Sequence, residues 1–308
     1  GSFFPRFIVC GRRGGVRSYG YDLPEKRSGL SRPGRSGAEI SFDRACTRWK
    51  LCYSGSVEKY GKGEWKMKIM LIRHGDPDYE HDTLTEQGWL EAELLARRLK
   101  NVPIDDFYLS PLGRAQATAS VTLKALGRTG ETLPWLREFH GSIEEPFTGQ
   151  RRCPWNMLPQ YWTNQETLLD PVRWREDGIL RTGDVEEVFE ETAAGVDGLL
   201  DRYGLKRQGN LYVGENQPKT IALFCHFGIS MAILSHLMLI SPAVLWHAVF
   251  LPTTSITTLV TEERVPGKMF FRCSGMGDAS HLEGQDRPLG RSGLFNECYG
   301  CGEEKPAR

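Results

Sequence analysis

Hydrophobic positions along the chain fall into short blocks with two different periods. "KIMLI" (Lys68–Ile72) is apolar at nearly every position, the pattern of a strand covered on both faces. In "LTEQGWLEAELLARRLK", Thr85 offers an N-cap, and Trp89, Ala92, Leu95 and Leu99 recur on one helical face. "DDFYLS" (Asp105–Ser110) predicts a second strand. "PLGRAQATASVTLKAL" predicts a helix opening on Pro111, where a helix tolerates proline, and "TLPWLREF" reads as a third extended piece. Asp184 opens a helix whose stripe is Val185, Val188, Phe189, Val196 and Leu199, stopped by Gly204. "TIALFC" (Thr220–Cys225) is a buried strand before the apolar helix "ISMAILSHLMLI", and "SITTLV" and "MFFRC" complete the sheet. Strands separated by helices predict an α/β fold, a three-layer αβα sandwich with a mostly parallel central sheet.

That rhythm breaks over residues 142–183. Pro146, Pro154, Pro159 and Pro171 alternate there with Trp155, Trp162 and Trp174. So aromatic a stretch predicts a cap insertion, not a flexible linker.

Composition alters the picture at the ends. Residues 1–66 carry 14 Lys/Arg against 6 Asp/Glu, although the 308-residue chain is neutral overall. They are rich in Gly, Arg and Ser and lack sustained periodicity, so they bury too little apolar area to offset ordering entropy. The expectation is a disordered basic extension at 1–66, a domain at 67–296 and a flexible tail at 297–308. A basic arm for nucleic acid is disfavoured, because the extension lacks interleaved aromatics at stacking spacing. No apolar run approaches the length of a membrane span. Eight scattered cysteines in a chain of this size fit reduced thiols and a cytoplasmic setting. The single pair Cys298 and Cys301 has no second pair at zinc-site spacing, which favours an inert tail over a metal site.

Candidate chemistry gathers where strands finish. His74 follows 68–72 and His226 follows 220–225, each succeeded by a glycine, Gly75 or Gly228. Ligands of open α/β sheets bind outside the carboxyl ends of the strands, so two distant histidines share one crevice if their strands are neighbours. Arg73 adds a planar fork of donors suited to phosphate or carboxylate. Arg114 enters from the start of a helix that begins at a strand end, and the helix N-terminus at Leu112–Gly113 adds a positive field. These groups together suit a dianion.

The segments "LIRHG" (71–75), "LTEQG" (84–88), "SPLGRAQATA" (110–119), "LREFHG" (136–141) and "FCHFG" (224–228) occur in an order that resembles the histidine phosphatase superfamily, also called phosphoglycerate-mutase-like. The resemblance covers roughly 67 to 296. It implies that His74 is transiently phosphorylated, that Arg73, Arg114 and His226 hold the phosphoryl oxygens, and that Glu138 donates the proton. Glu144 and Glu145 remain rival donors. Asp76 stands where many members have Glu or Gln, and the long 142–183 piece differs from the short mutase arrangement. Asp76, His140, Glu144, Arg151 and Arg152 are the candidates for substrate contact. Neutral imidazole is a competent nucleophile toward phosphorus, and arginines can supply the charge neutralisation, so neither metal nor cofactor is expected.

Three other readings compete. A metallohydrolase would use His74, Asp76, Asp78, His81 and Asp82, but would leave Arg73, Arg114 and His226 without roles and set cations beside the metal. A mutase would share the pocket. A non-catalytic phosphate-binding module would need a replaced histidine or arginine, and none is replaced. The expected function is therefore hydrolysis of a small phosphomonoester.

Overall fold

The computed structural model describes residues 66–145, 149–284 and 292–294. Apart from Lys66, the expected basic extension and the tail with Cys298 and Cys301 lie outside the described residues. All elements below belong to the unit Tyr60–Arg308.

Eight strands of the described residues form the central sheet: β1 (Lys68–Arg73), β2 (Asp106–Leu109), β3 (Glu131–Thr132), β4 (Leu205–Gln208), β5 (Leu211–Gly214), β6 (Thr220–Cys225), β7 (Ile256–Val265) and β8 (Lys268–Asp278). Their order is β3-β2-β6-β1-β7-β8-β5-β4. Pairing is parallel from β3 through β1 and antiparallel from β1 to β4, so only β7 and β5 oppose the common direction. The four-stranded parallel part, with β1 and β6 as neighbours, carries the two histidines.

Both faces of β1 and β6 are covered, as their unbroken apolar runs require. Along β1, Ile69 and Leu71 enter one core while Met70 and Ile72 enter the other. Residues of β6 divide the same way: Leu223 and Cys225 on one side, Ala222 and Phe224 on the other. Helices α1 (Glu86–Leu99) and α2 (Gly113–Leu126) close the second core with Leu95, Leu99 and Ala119. Helices α3 (Val185–Asp201) and α4 (Phe227–Met238) close the first with Val188, Val196 and Leu234. This is the expected three-layer arrangement, and α5 (Pro242–Ala248) packs against α4.

Local details depart from the sequence pattern for identifiable reasons. Thr85 caps α1 by accepting from Gly88 N at 3.1 Å, but Trp89 is 40% exposed. The buried stripe runs through Gly88, Glu91, Ala92, Leu95 and Leu99, and Trp89 lies one position off it. Only Glu131–Thr132 of "TLPWLREF" is strand; Pro134 opens a 3₁₀ turn because it has no N–H for the ladder. Asp184 precedes α3 but turns its carboxylate away from the helix, accepting from Ser142 N at 2.8 Å and Ser142 Oγ at 3.1 Å. The β4–β5 hairpin had no clear signal in the sequence pattern.

Residues 142–183 combine a hairpin pairing Ile143–Glu144 with Arg151–Arg152 and a series of short helical turns. Leu168, Trp174 and Leu180 are buried in the first core. Asp177 ties the turns by accepting from Ile179 N at 2.9 Å and from Tyr161 Oη at 3.2 Å.

One close approach holds the loop after β1 against α1. A Cβ on Gly88 would meet the carbonyl oxygen of Asp76 at 2.2 Å, so the loop after β1 lies directly on the first turn of α1. Gly88→Ala is expected to destabilise the protein by about 3 kcal/mol, because backbone atoms yield poorly to overpacking. Gly198→Ala, in α3 with nothing within 4 Å of the added carbon, is expected to stabilise by about 0.5–1 kcal/mol. Urea midpoints of the two variants check both signs.

Candidate active site

The site starts from strand register. Arg73 pairs with Cys225 at the ends of β1 and β6, and His74 N donates to Cys225 O at 3.0 Å. His74 and His226 therefore leave the sheet side by side, with ring centroids 5.0 Å apart and planes tilted by 55°. Both are buried.

His74 Nδ1 lies 2.7 Å from Gly75 O. A carbonyl only accepts, so Nδ1 carries the ring proton and Nε2 keeps a free lone pair. Burial, reinforced by the Arg73 charge, depresses the His74 pKa to about 3. The His226 pKa is held well below its ordinary value, first by burial and then by His74, Arg114 and Arg73. Two neutral imidazoles thus share the pocket with two guanidinium groups.

Each arginine is tied at one end. Arg73 Nη1 donates to Leu251 O at 2.6 Å and to Ser292 O at 2.8 Å. Arg114 Nη1 reaches Asp82 Oδ1 at 2.6 Å. The buried Nε atoms of both, and Nδ1 of His226, have no hydrogen-bond partner among the described residues. Buried polar groups left in this state are costly unless a ligand satisfies them. Tyr79, 66% exposed, places its ring 5.5 Å from the Arg114 Cζ at the rim.

The start of α2 differs from the sequence expectation. Asp82 adopts φ 47° and accepts from Gly113 N at 2.6 Å, so its carboxylate occupies the N-terminus that was expected to face an incoming anion. Leu112 provides no side-chain cap, and Asp82 supplies one from a distant loop.

Glu138 faces the start of α4. Its Oε1 accepts from Phe139 N at 2.8 Å and from Ile229 N, in the first turn of α4, at 3.1 Å. Burial raises its pKa, although both backbone bonds and the two arginines pull the other way. The Trp155 ring lies over Gly228, where a Cβ would meet it at 2.4 Å and Glu138 Oε1 at 3.0 Å. Cys153 is close enough to Glu138 that burial and the carboxylate's charge push its thiol to about 12. Segment 153–155 therefore borders the acid.

The structure brings His74, His226, Arg73, Arg114 and Glu138 together. The residues expected to contact substrate lie in varied surroundings. Asp76 accepts from Thr85 Oγ1 at 2.8 Å and serves the start of α1. His140 and Glu144 are exposed, with Glu144 N held by Thr182 Oγ1 at 2.8 Å. Arg151 is exposed and its charge acts on Asp184, while Arg152 is half-buried with Nη2 3.2 Å from Gln150 Oε1. Glu145 is buried, its N donating to Gln150 O at 2.9 Å. The acidic stretch weighed as a metal site disperses: His81 Nδ1 pairs with Asp78 Oδ2 at 2.8 Å, Asp76 with Thr85, and Asp82 with Arg114.

Sequence reasoning missed three supporting residues. Asp82 anchors Arg114. Glu91, fully buried in α1, accepts from Asp76 N at 3.0 Å and holds the loop after His74. Ser110 Oγ lies 2.7 Å from His226 Nε2. A buried Glu on a helix face was the one signal available, and the other two depend on contacts between distant segments.

A sequence model of the histidine phosphatase superfamily (branch 1) matches residues 69–270. The probable phosphoglycerate mutase GpmB of Yersinia pestis (strain Pestoides F) is 34% identical over 88 residues, which is 26% of this chain and 41% of the relative. The chain thus spans about two-fifths of the length of the curated relatives it matches. Among solved structures, a mutant phosphoserine phosphatase from Entamoeba histolytica in complex with phosphoserine is similar with a TM-score of 0.49 and 21% identity, over 70% of this chain and 99% of that one. A mycobacterial glucosyl-3-phosphoglycerate phosphatase gives 0.48 and 19%, over 69% and 99%.

Coulomb's law and geometry make opposite predictions for Asp82. Removing its negative charge should tighten anion binding if charge alone mattered. If its ion pair aims Arg114, Asp82→Asn should weaken inorganic phosphate binding about tenfold. Asparagine tolerates the same backbone conformation, so titration calorimetry of this variant decides the sign.

Proposed function

We propose that this chain, which belongs to the histidine phosphatase superfamily (branch 1), is a metal-independent phosphomonoester hydrolase that works through a phosphohistidine at His74. The observation that carries this reading is the fixed tautomer of His74. Its Nδ1 proton is committed to Gly75 O, which leaves an unprotonated Nε2 beside three unpartnered buried nitrogens on Arg73, Arg114 and His226.

The steps follow from those groups. The His74 Nε2 lone pair attacks phosphorus in line while the ester P–O bond breaks. Arg73, Arg114 and His226 hold the equatorial oxygens, and Glu138 in its acid form gives its proton to the departing alkoxide. The resulting carboxylate then takes a proton from water as that water attacks phosphohistidine, which releases inorganic phosphate and restores His74. Splitting hydrolysis this way lets one imidazole act as both nucleophile and leaving group. Residues 142–183 act as the cap that meets the rest of a small phosphorylated metabolite, in a cytoplasmic setting.

The curated relatives are named as mutases, which keeps transfer of the same phosphoryl group to a second hydroxyl as the alternative. The fate of the group separates the two: inorganic phosphate for a hydrolase, a positional isomer for a mutase. A non-catalytic binder would give neither.

His74→Ala should abolish phosphate release from an aryl phosphate while the melting temperature stays near that of the parent. Near-normal turnover by that variant would refute the mechanism. Orthovanadate, a mimic of five-coordinate phosphorus, should inhibit strongly.

The pH profile follows from two signs. His74 must be neutral, so the acid limb falls near its depressed pKa of about 3. Glu138 must be protonated, so the alkaline limb falls as pH rises through its elevated pKa. The profile should therefore be bell-shaped, with its alkaline limb above the ordinary carboxylate range. Glu138→Gln should slow turnover of an alkyl phosphate about 10²–10³-fold and an activated aryl phosphate much less, with the alkaline limb lost.

A further inference from the structure

His226 has two buried ring nitrogens in unlike surroundings. Nε2 lies 2.7 Å from Ser110 Oγ, while Nδ1 has no partner among the described residues. The distinction originates in the sheet. Ser110 N donates to Phe224 O at 2.9 Å, which extends the β2–β6 ladder one residue past Leu109. The serine is therefore set against the residues leading into His226, and Pro111 behind it favours the extended backbone this requires.

The proton on the imidazole can be deduced from the serine. Leu112 N lies 3.2 Å from Ser110 Oγ, and a backbone N–H only donates, so it takes one hydroxyl lone pair. The hydroxyl proton then has a single observed acceptor, His226 Nε2. A neutral imidazole carries one proton, and with Nε2 accepting, that proton is on Nδ1. The opposite tautomer would strand the hydroxyl proton and turn a bare lone pair from Nδ1 toward an anion. Burial and the neighbouring cations keep the ring neutral, so no second proton blurs the choice.

We infer that Ser110 is a positioning residue that fixes the His226 proton on Nδ1, turning that nitrogen into a hydrogen-bond donor for the transferring phosphoryl group. Its effect on turnover rests on the phosphatase reading above; the location of the proton is a property of the resting chain.

The test is ¹⁵N NMR of the full chain labelled at histidine, with the His226 resonances assigned from their loss in His226→Gln. Near neutral pH the expected spectrum has a protonated Nδ1 and an unprotonated Nε2. Ser110→Ala should shift the ring toward the other tautomer and lower kcat/KM about tenfold, mostly through kcat, since the contact strengthens as charge develops. Ser110→Thr keeps a hydroxyl and should restore the spectrum and most of the rate. A wild-type proton on Nε2 overturns the inference, as does an unchanged His226 spectrum in Ser110→Ala. The wild-type spectrum decides even if the alanine variant fails to fold. Absence of phosphatase activity in the wild-type chain would sink the hydrolase reading alone.

Discussion

The ladder between β1 and β6 puts Arg73 opposite Cys225, and the next residue of each strand is a histidine. A slip of one residue in this pairing would turn every side chain of one strand onto the other face, separating the imidazoles and exchanging the two cores. Apolar burial on both faces resists such a slip, since Leu71 and Ile72 are enclosed on opposite sides. The packing that stabilises the sheet is thus the same packing that aims the two rings. Gly88 and Glu91 of α1 then hold the loop after His74 from below.

Charge in the pocket suits an anion. Two guanidinium groups in a buried setting would repel, yet each is secured at its far end, Arg73 by two backbone carbonyls and Arg114 by Asp82. The near ends keep unpartnered nitrogens. Both histidines respond by staying neutral, burial being the larger cause in each. A dianion reverses the balance, because it meets donors already oriented and little reorganisation is needed. The helix start of α2 is spent on Asp82, so Arg114 is held at a fixed level where a mobile side chain would have to be ordered first.

Much of this was legible in the chain because strand ends have short-range signatures. "LIRHG" and "FCHFG" announce a buried strand and its terminal histidine within a few residues, and the three-layer fold follows from their spacing with the helices. What the pattern could not disclose depends on contacts between distant segments. Asp82 looked like one of several acids in a row, and only its left-handed backbone brings it to α2. Ser110 has no local signal of its role, because its partner His226 follows β6, which only the sheet brings beside β2. Trp89 misled for another reason: periodicity identifies a face, but a large residue at its margin can remain exposed. The expected substrate contacts on 140–152 were chosen by charge alone, and charges in a hairpin carry no directional signal in the sequence; His140, Glu144 and Arg151 are exposed, while Arg152 is half-buried.

The proposed proton donor links the 142–183 segment to the chemistry proposed at His74. Glu138 accepts two backbone hydrogen bonds, and both arginines are near enough to favour its charged form. Its pKa nonetheless rises, because desolvation outweighs them. Trp155, lying over Gly228 beside Glu138 Oε1, and the nearby Cys153 border that desolvated pocket. If residues 142–183 are the cap proposed above, the segment that meets the leaving group also desolvates Glu138 and favours its acid form. A change that opened the proposed cap to admit a bulkier group would wet Glu138 and lower its pKa, disfavouring its acid form. On the proposed reading, substrate range and acid strength are coupled through the same aromatic wall, so a wider pocket would need a second source of desolvation at Glu138.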